Sequence, residues 1–370
     1  MQSTDSAAEL EKLALDLTEK GRIEEALDFL DQAIKLDPDY VSAYLNEGLI
    51  LEALGDREGA LRCYEAAVER DPNYVDAWNQ MGILHDSWEN YPEALTAYDR
   101  AIEADPNFLY VWYNKGLLLH ASNRLSEAVA CFDRATQIDP TYFPAWQSLM
   151  FVLQSSAGRA AAVATLQKAE EQHLDEVGLC ILRGDLASYA KDNDEARRQY
   201  ERALETDRDN ENAVAAMAGF YSDTSFEFSK ALSLRRELSR KYPSPIGWLA
   251  LAEDSLKAGE VAEARALARQ LLKEGELGPT YECIARLVLL TGVVLGRDAS
   301  KRSDEIRTFL RYLTSLDSTF VIPDTAWILD GLLHRVSLSR VDPGVKLILL
   351  FLIRLLQGKE DRTTFDLIRP

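Results

Sequence analysis

The sequence predicts an all-α protein, a solenoid in which pairs of short helices stack on one another. Aspartate–proline steps recur every 34 residues, with the prolines at Pro38, Pro72, Pro106 and Pro140. An alanine column keeps the same period, at Ala26, Ala60, Ala94 and Ala128. A third column, in the preceding helix, is aromatic and contains Tyr44, Trp78, Trp112 and Trp146. A single helix pair cannot bury its own apolar faces, so units with this period are expected to stack.

Residues 111–140 form the clearest unit and show why two helices are expected in each. Trp112 and Gly116 share one face of the first helix, and Phe132 lies between two alanines on one face of the second. Small residues let the two helices approach closely, while the large rings fill the space between units. Asp139 precedes a proline, which disfavours helical geometry and ends the second helix.

Through this pattern the sequence resembles the tetratricopeptide-repeat family, with four regular repeats over residues 7–142. The matching residues of the clearest unit are Trp112, Gly116, Ala128, Phe132, Ala135 and Pro140. The resemblance implies a right-handed superhelix of helix pairs, whose first helices line a concave groove.

The repeat frame continues beyond the regular part, but with weaker columns. Residues 143–278 are predicted to form four degenerate repeats, and the third of these requires one inserted residue near Ser225. Residues 279–370 are predicted to form a divergent helical C-terminal region, a possible ninth repeat followed by capping helices. The last helix, at about residues 345–357, is apolar nearly all round, so it must be covered on more than one face. It is expected to cap the solenoid; the alternative is that it packs against another chain.

Negative charge is concentrated in the first part of the chain. The whole sequence has a formal charge of −20, and residues 1–140 contain 28 acidic and 11 basic residues. This charge disfavours binding to nucleic acid or to an anionic membrane, so a charged partner is expected to be basic. The alternative is that the acidic residues only keep a solvated surface soluble.

Cysteine use and apolar stretches predict a soluble cytoplasmic protein. The four cysteines form no CxxC pair and are too few for a disulfide framework in so long a chain. The amino terminus lacks the basic and apolar regions of a signal peptide. The most apolar stretch, residues 347–356, is too short to span a bilayer and contains Arg354.

Residue patterns typical of catalysis, cofactor binding or metal binding are missing from the sequence, so we expect no enzyme, no cofactor and no metal site. His85 is interpreted as a packed residue of the repeat, and His120 as a residue of the groove. The two histidines could approach each other, but two ligands without a third are a weak metal signal. The glycines belong to repeat columns and turns rather than to a phosphate-binding loop.

The groove is the predicted functional site. Repeats are numbered from residues 7, 41, 75, 109 and 143, and the resemblance places positions two, five, six, nine and twelve of each repeat on the concave side. The candidate peptide-binding residues are Asn46, Asp76, Asn79, Gln80, Asp86, Tyr110, Tyr113, Asn114, His120, Gln147 and Phe151. No basic residue occupies position two, which argues against a clamp for a peptide carboxylate.

Each group of groove residues has a predicted role. The amides of Asn46, Gln80 and Asn114 at position six are expected to contact a peptide backbone, since an amide both donates and accepts hydrogen bonds. The rings at positions two, five and nine would contact side chains, and Asp76 and Asp86 would favour basic residues. The alternative for Asn46 and Asn114 is that they only satisfy local backbone groups or water.

These observations predict a non-enzymatic scaffold or adaptor that holds an extended peptide or a partner helix, neutral or basic, in the concave groove. The alternative is a structural or assembly subunit that oligomerises or docks through its apolar C-terminal helix.

Overall fold

The described chain is built from α-helices joined by short turns, and it contains no strand. The computed structural model describes residues 6–274 and 279–295, together with residues 308, 309, 311, 312, 352 and 353. It divides into two units, Met1–Val152 and Leu153–Pro370. Stacked helix pairs fill the described part of each unit, which confirms the all-α solenoid predicted from the 34-residue period.

In the first unit, four helix pairs follow one another along the chain. They are α1 (Ala7–Glu19) with α2 (Ile23–Leu36), α3 (Val41–Ala53) with α4 (Arg57–Arg70), α5 (Val75–Ser87) with α6 (Tyr91–Ala104), and α7 (Leu109–Ala121) with α8 (Leu125–Ile138). The next helix, α9 (Phe143–Ser156), begins in this unit.

The second unit continues the same alternation of helices and turns. Its described helices are α10 (Arg159–Glu171), α11 (Glu176–Tyr189), α12 (Asn193–Thr206), α13 (Glu211–Gly219), α14 (Phe228–Lys241), α15 (Pro245–Ala258), α16 (Val261–Glu274) and α17 (Pro279–Leu295). A π-helical segment, Phe220–Thr224, extends α13. This segment lies where the repeat frame requires an inserted residue, and the Ser225 amide closes it by donating to the Phe220 carbonyl at 2.9 Å.

In three of the four regular pairs, and in the pair of α11 and α12, a glycine of the first helix faces an aromatic ring of the second. A Cβ atom added to Gly116 would lie 2.6 Å from Cε1 of Phe132, a contact far closer than atoms tolerate. The same relation holds for three more pairs, Gly48 with Tyr64, Gly82 with Tyr98 and Gly184 with Tyr200. The rings are buried, so each glycine sets how closely the two helices approach.

The aromatic column of the first helices fastens each repeat to the turn before it. The indole nitrogen of Trp78 donates to the carbonyl of Pro72 at 2.9 Å, and Trp112 and Trp146 repeat this bond at 2.9 Å with the prolines six residues before them. The aspartate before each proline also stabilises the turn. For example, the Asp71 carboxylate accepts from the amide of Asn73 at 2.9 Å.

A buried cluster of charges connects the π-helical segment to α15. Lys257 is only 2% exposed, and its Nζ atom lies 2.7 Å from both Asp223 Oδ1 and Glu253 Oε1. It also donates to Ser222 Oγ at 2.8 Å, and Ser222 Oγ donates to Asp254 Oδ1 at 2.6 Å. Burial, reinforced by the neighbouring aspartates, raises the pKa of Glu253 despite the ammonium beside it. The ammonium is therefore the central partner of several carboxylates.

Two residues of the predicted last helix belong to the core of the second unit. Leu352 and Ile353 are fully buried in the apolar cluster that contains Leu249, Leu287 and Val288. Apart from the six single positions given above, the predicted capping helices and most of the possible ninth repeat lie outside the described residues. No helix in the described part of the chain is long and apolar enough to cross a membrane.

Gly116→Ala is expected to lower the free energy of unfolding by about 1–3 kcal/mol, because the added methyl group collides with the Phe132 ring. Urea unfolding followed by circular dichroism measures the change. Gly219→Ala is the control, since Gly219 is helical and has no atom within 4 Å of the added Cβ. It should be neutral or stabilising by up to about 1 kcal/mol. Equal losses in the two variants would contradict the glycine–ring constraint.

Lys257→Met is expected to lower the free energy of unfolding by about 3–5 kcal/mol, because it leaves buried carboxylates without their cation. Lys241→Met removes an ammonium whose side chain is 43% exposed, and we expect a change of less than about 1 kcal/mol. Both variants can be compared by thermal and urea unfolding at neutral pH. A Lys257 variant as stable as the wild type would mean that the cluster does not hold the two elements together.

Candidate peptide-binding surface

The position-six amides Asn46, Gln80 and Asn114, which we name the amide ladder, are held mainly by the protein itself. The Asn114 side chain donates to Oδ1 of Asn79 at 3.1 Å, and the Asn46 side chain donates to Oε1 of Glu11 at 2.6 Å. In both pairs a position-six residue meets position five of the preceding repeat, 35 residues earlier. Tyr113 and Ser148 make the third such pair. The structure therefore brings these residues together, but it already satisfies much of their hydrogen bonding.

Glu11 occupies the surface around Asn46 at the amino-terminal end. Its carboxylate accepts hydrogen bonds from the Tyr40 hydroxyl at 2.5 Å, from Ser42 and from Asn46. Burial, together with the bond to Glu11, raises the pKa of Tyr40 to about 12. Asn46 is consequently a bonded partner of α1, and its acceptor is a carboxylate of the preceding repeat rather than the local backbone group or water of the alternative interpretation.

Gln80 differs from the other ladder amides. It is half-buried on α5, and its side chain forms no hydrogen bond with any described residue. By the repeat register it lies beside Leu45, which occupies position five where the preceding repeat has Glu11. An apolar neighbour cannot engage the amide, so Gln80 keeps both its donor and its acceptor for another molecule.

The predicted tyrosines fall into two environments. Tyr110 is 52% exposed, whereas Tyr113 packs against Phe132 with ring centroids 5.9 Å apart. Tyr142 lies between them, 5.9 Å from the Tyr110 ring and 5.3 Å from the Tyr113 ring, both edge to face. Tyr113 is thus mainly a packing residue, and Tyr110 is the ring of this cluster that presents area to a partner.

Tyr142 was not among the predicted residues, although the sequence contains a signal for it. Aromatic residues at Tyr40, Tyr74, Phe108 and Tyr142 recur every 34 residues, each directly before the first helix of a repeat. We name them the pre-helix aromatic column. A search for columns restricted to the helices overlooks them, because they lie in the turns.

The two predicted aspartates carry negative charge without a salt bridge to any described residue. Asp76 is exposed in the first turn of α5, and Asp86 is half-buried near the end of the same helix. Burial, with a smaller effect from Glu89, raises the pKa of Asp86. A cation placed beside Asp86 would lower this pKa again, because it favours the ionised carboxylate and is attracted by it.

Apolar side chains separate these polar groups. Leu49 and Leu117, at position nine, are 37% and 40% exposed, and Ile83 at the same position is half-buried. His120 packs edge to face against Phe151 with centroids 5.9 Å apart, and burial lowers the pKa of its imidazole. Gln147 is half-buried on α9.

The histidines and cysteines form no candidate metal site among the described residues. His85 packs edge to face against Trp88, and its Nδ1 atom is buried without a hydrogen-bond partner. Among the described residues, no group of three or more His, Cys, Asp or Glu side chains could hold a metal ion. The four cysteines, all in the described part of the chain, form no disulfide, and burial raises the pKa of Cys63 to about 12 and of Cys131 to about 11.

Family models for the tetratricopeptide repeat match three parts of the sequence. One matches residues 47–107 and 80–143, a second, described as a TPR repeat, matches residues 14–55, and a third matches residues 177–210. No curated protein sequence matches the chain significantly.

Solved structures match this chain at low sequence identity. A tetratricopeptide repeat protein from Parabacteroides merdae is 17% identical, covers 67% of this chain and 98% of its own, and gives a TM-score of 0.51. PilF of Pseudomonas aeruginosa is 17% identical over 56% of this chain and 94% of its own, with a TM-score of 0.44. YrrB, titled a TPR protein with an unusual peptide-binding site, is 24% identical over 48% and 92%, with a TM-score of 0.38. The first of these supports the fold.

Asn114→Ala is expected to lower the free energy of unfolding by about 1–3 kcal/mol, because it leaves the buried Asn79 amide without a partner. Gln80→Ala, the matched variant one repeat earlier, should change it by less than about 0.5 kcal/mol. Urea unfolding compares the two. Equal effects would mean that the two amides do not differ in their internal bonding.

Proposed function

Because the chain is a tetratricopeptide-repeat protein, and this repeat is a protein-interaction fold, we propose that it holds an extended peptide segment on the surface around Gln80. The single observation that carries the proposal is the unbonded Gln80 amide, flanked by groups suited to a peptide. An extended peptide offers one donor and one acceptor per residue, which a free amide can engage together.

Apolar and aromatic area supports the same surface. Leu49 and Leu117 remain partly exposed beside half-buried Ile83, and Tyr110 presents about half of its surface. Tyrosine contributes large contact area at low entropy cost, with a hydroxyl that can still bond to the peptide. Apolar side chains of the partner would therefore pack between these residues.

Charge supports a partner with at least one basic residue. Asp76 and Asp86 form no salt bridge with a described residue, and burial already disfavours the ionised form of Asp86. A lysine or arginine of the peptide would restore a favourable environment for that carboxylate. The binding residues of this proposal are thus Gln80, Tyr110, Asp76 and Asp86, while Asn46, Asn79, Tyr113 and Asn114 support them.

The alternative assembly role has less support. The burial of Leu352 and Ile353 in the chain's own apolar cluster favours packing of this stretch within the chain over packing against another copy. We also propose a cytoplasmic location, because none of the four cysteines forms a disulfide, as is typical of a reducing compartment.

Peptides selected from a random displayed library against the full chain should bind the double variant Gln80→Ala, Tyr110→Ala at least about tenfold more weakly, a loss of about 1.4 kcal/mol. Selected sequences should be enriched in lysine or arginine. Calorimetry or fluorescence anisotropy measures the affinities. Asp76→Asn with Asp86→Asn should reduce both this enrichment and the dependence of binding on salt.

The control is Leu54→Ala with Gln137→Ala, which removes an exposed apolar group and an exposed amide outside the proposed surface. This control should bind the selected peptides as the wild type does. Undiminished binding by the Gln80, Tyr110 variant would place the peptide elsewhere and refute the proposal.

A further inference from the structure

A cleft of about 420 Å³ lies in the second unit, among α12, α13 and α14. Its apolar lining comes from Leu204, Met217 and Leu234, and Tyr221 forms a further part of the wall. The volume falls within the range of pockets that enclose small ligands or side chains, about 300–1,000 Å³. None of the residues of the proposed peptide-binding surface lines it.

The wall of the cleft contains the irregular part of the repeat. Tyr221 belongs to the π-helical segment, and its carbonyl accepts a hydrogen bond from the Glu227 amide at 2.7 Å. Single π-helical turns are rare and are frequently found at functional sites. Here the π-helical segment provides both Tyr221, which lines the cleft, and Asp223, which pairs with the buried Lys257.

Internal charge pairs hold this wall in place. The Glu227 carboxylate binds both Arg197 and Lys230, and these hydrogen bonds lower the pKa of Glu227 to about 2. Both cations also lie over the Tyr221 ring, at 5.4 Å and 5.1 Å from its centroid. Lys230 also lines the cleft, and its side chain is 57% exposed, so one cation of the wall is paired internally but still accessible.

The opposite lip of the cleft is acidic. Glu201 and Glu205 lie one helical turn apart on α12, line the cleft and are exposed. Neither forms a salt bridge with a described residue. The cleft thus combines an apolar interior with an excess of negative charge at its edge, which complements an apolar group that has a positive charge beside it.

We propose that this cleft is a second docking site, for a partner segment that inserts one or two apolar side chains flanked by lysine or arginine. The apolar side chain would be buried against Leu204, Met217 and Leu234, and the flanking cation would lie at Glu201 and Glu205. This site is independent of the surface around Gln80 and of the function proposed for it.

The test uses the full chain and two fluorescein-labelled synthetic peptides, one with two leucines flanked by lysines and one with the lysines replaced by glutamates. Fluorescence anisotropy should show binding of the lysine peptide and at least about tenfold weaker binding of the glutamate peptide. Glu201→Lys with Glu205→Lys should weaken the lysine peptide by about tenfold or more. The matched control is Glu65→Lys with Glu69→Lys, an exposed acidic pair at the same repeat positions of α4, which should change the affinity less than about twofold.

A second pair of variants tests the cavity itself rather than its charge. Ser233→Trp introduces a large ring from an exposed lining residue and should abolish binding of the lysine peptide. Ala130→Trp, at the equivalent exposed position of α8, should not affect it. Circular dichroism establishes that each variant is folded as the wild type is.

Four results would overturn the proposal. These are no binding of the lysine peptide, equal binding of the two peptides, equal losses in the two charge-reversal variants, and full binding by the folded Ser233 variant. Binding of the lysine peptide by the variant Gln80→Ala, Tyr110→Ala should equal that of the wild type. Loss in that variant would instead place the peptide on the surface around Gln80, which separates failure of this proposal from failure of the first.

Discussion

The contact between a glycine of one helix and an aromatic ring of the next is the constraint on which four of the helix pairs depend. At Gly48, Gly82, Gly116 and Gly184 no side chain fits, because the ring sixteen residues later already fills the space. This contact brings the two backbones close and leaves the rest of each first helix to face neighbouring repeats. The tryptophan bond to the preceding proline carbonyl then fixes the turn between repeats. Together these contacts make the spacing of successive first helices regular.

Regular spacing determines which polar side chains can meet. With the first helices stacked in register, position six of one repeat lies against position five of the one before, as Asn114 does with Asn79. The same register that creates a ladder of amides therefore also engages most of it. Among the position-six amides of the described repeats, Gln80 stays unbonded, and its neighbour at position five, Leu45, is apolar. The binding that we propose for this surface thus depends on a break in the polar pattern rather than on the pattern itself.

The second unit departs from regular spacing at one place, and two features follow there. The π-helical segment carries Asp223 toward the buried Lys257, where several carboxylates and one ammonium satisfy each other. The same segment presents Tyr221 to the cleft beside α12 and α14. The inserted residue interrupts the regular helix, and the ion pairs of the charge cluster stabilise the irregular segment. The two proposed sites therefore have different origins, one in the regular stack and one in its interruption.

The sequence by itself determined the helix pairs, the small and aromatic packing columns and the place of the insertion near Ser225, because these follow from periodicity along the chain. It also predicted a binding groove, but it could not separate Gln80 from Asn114, since both are amides at the same position of their repeats. Only the tertiary structure decided that difference, because the partner of each amide lies 35 residues away. The pre-helix aromatic column is present in the sequence as a 34-residue period, but it was not predicted because it lies in the turns. The cleft could not be predicted from periodicity, because it depends on how α12, α13 and α14 pack. Periodicity along the chain indicates which residues recur in every repeat. The contacts between neighbouring repeats decide which of their polar groups remain unbonded.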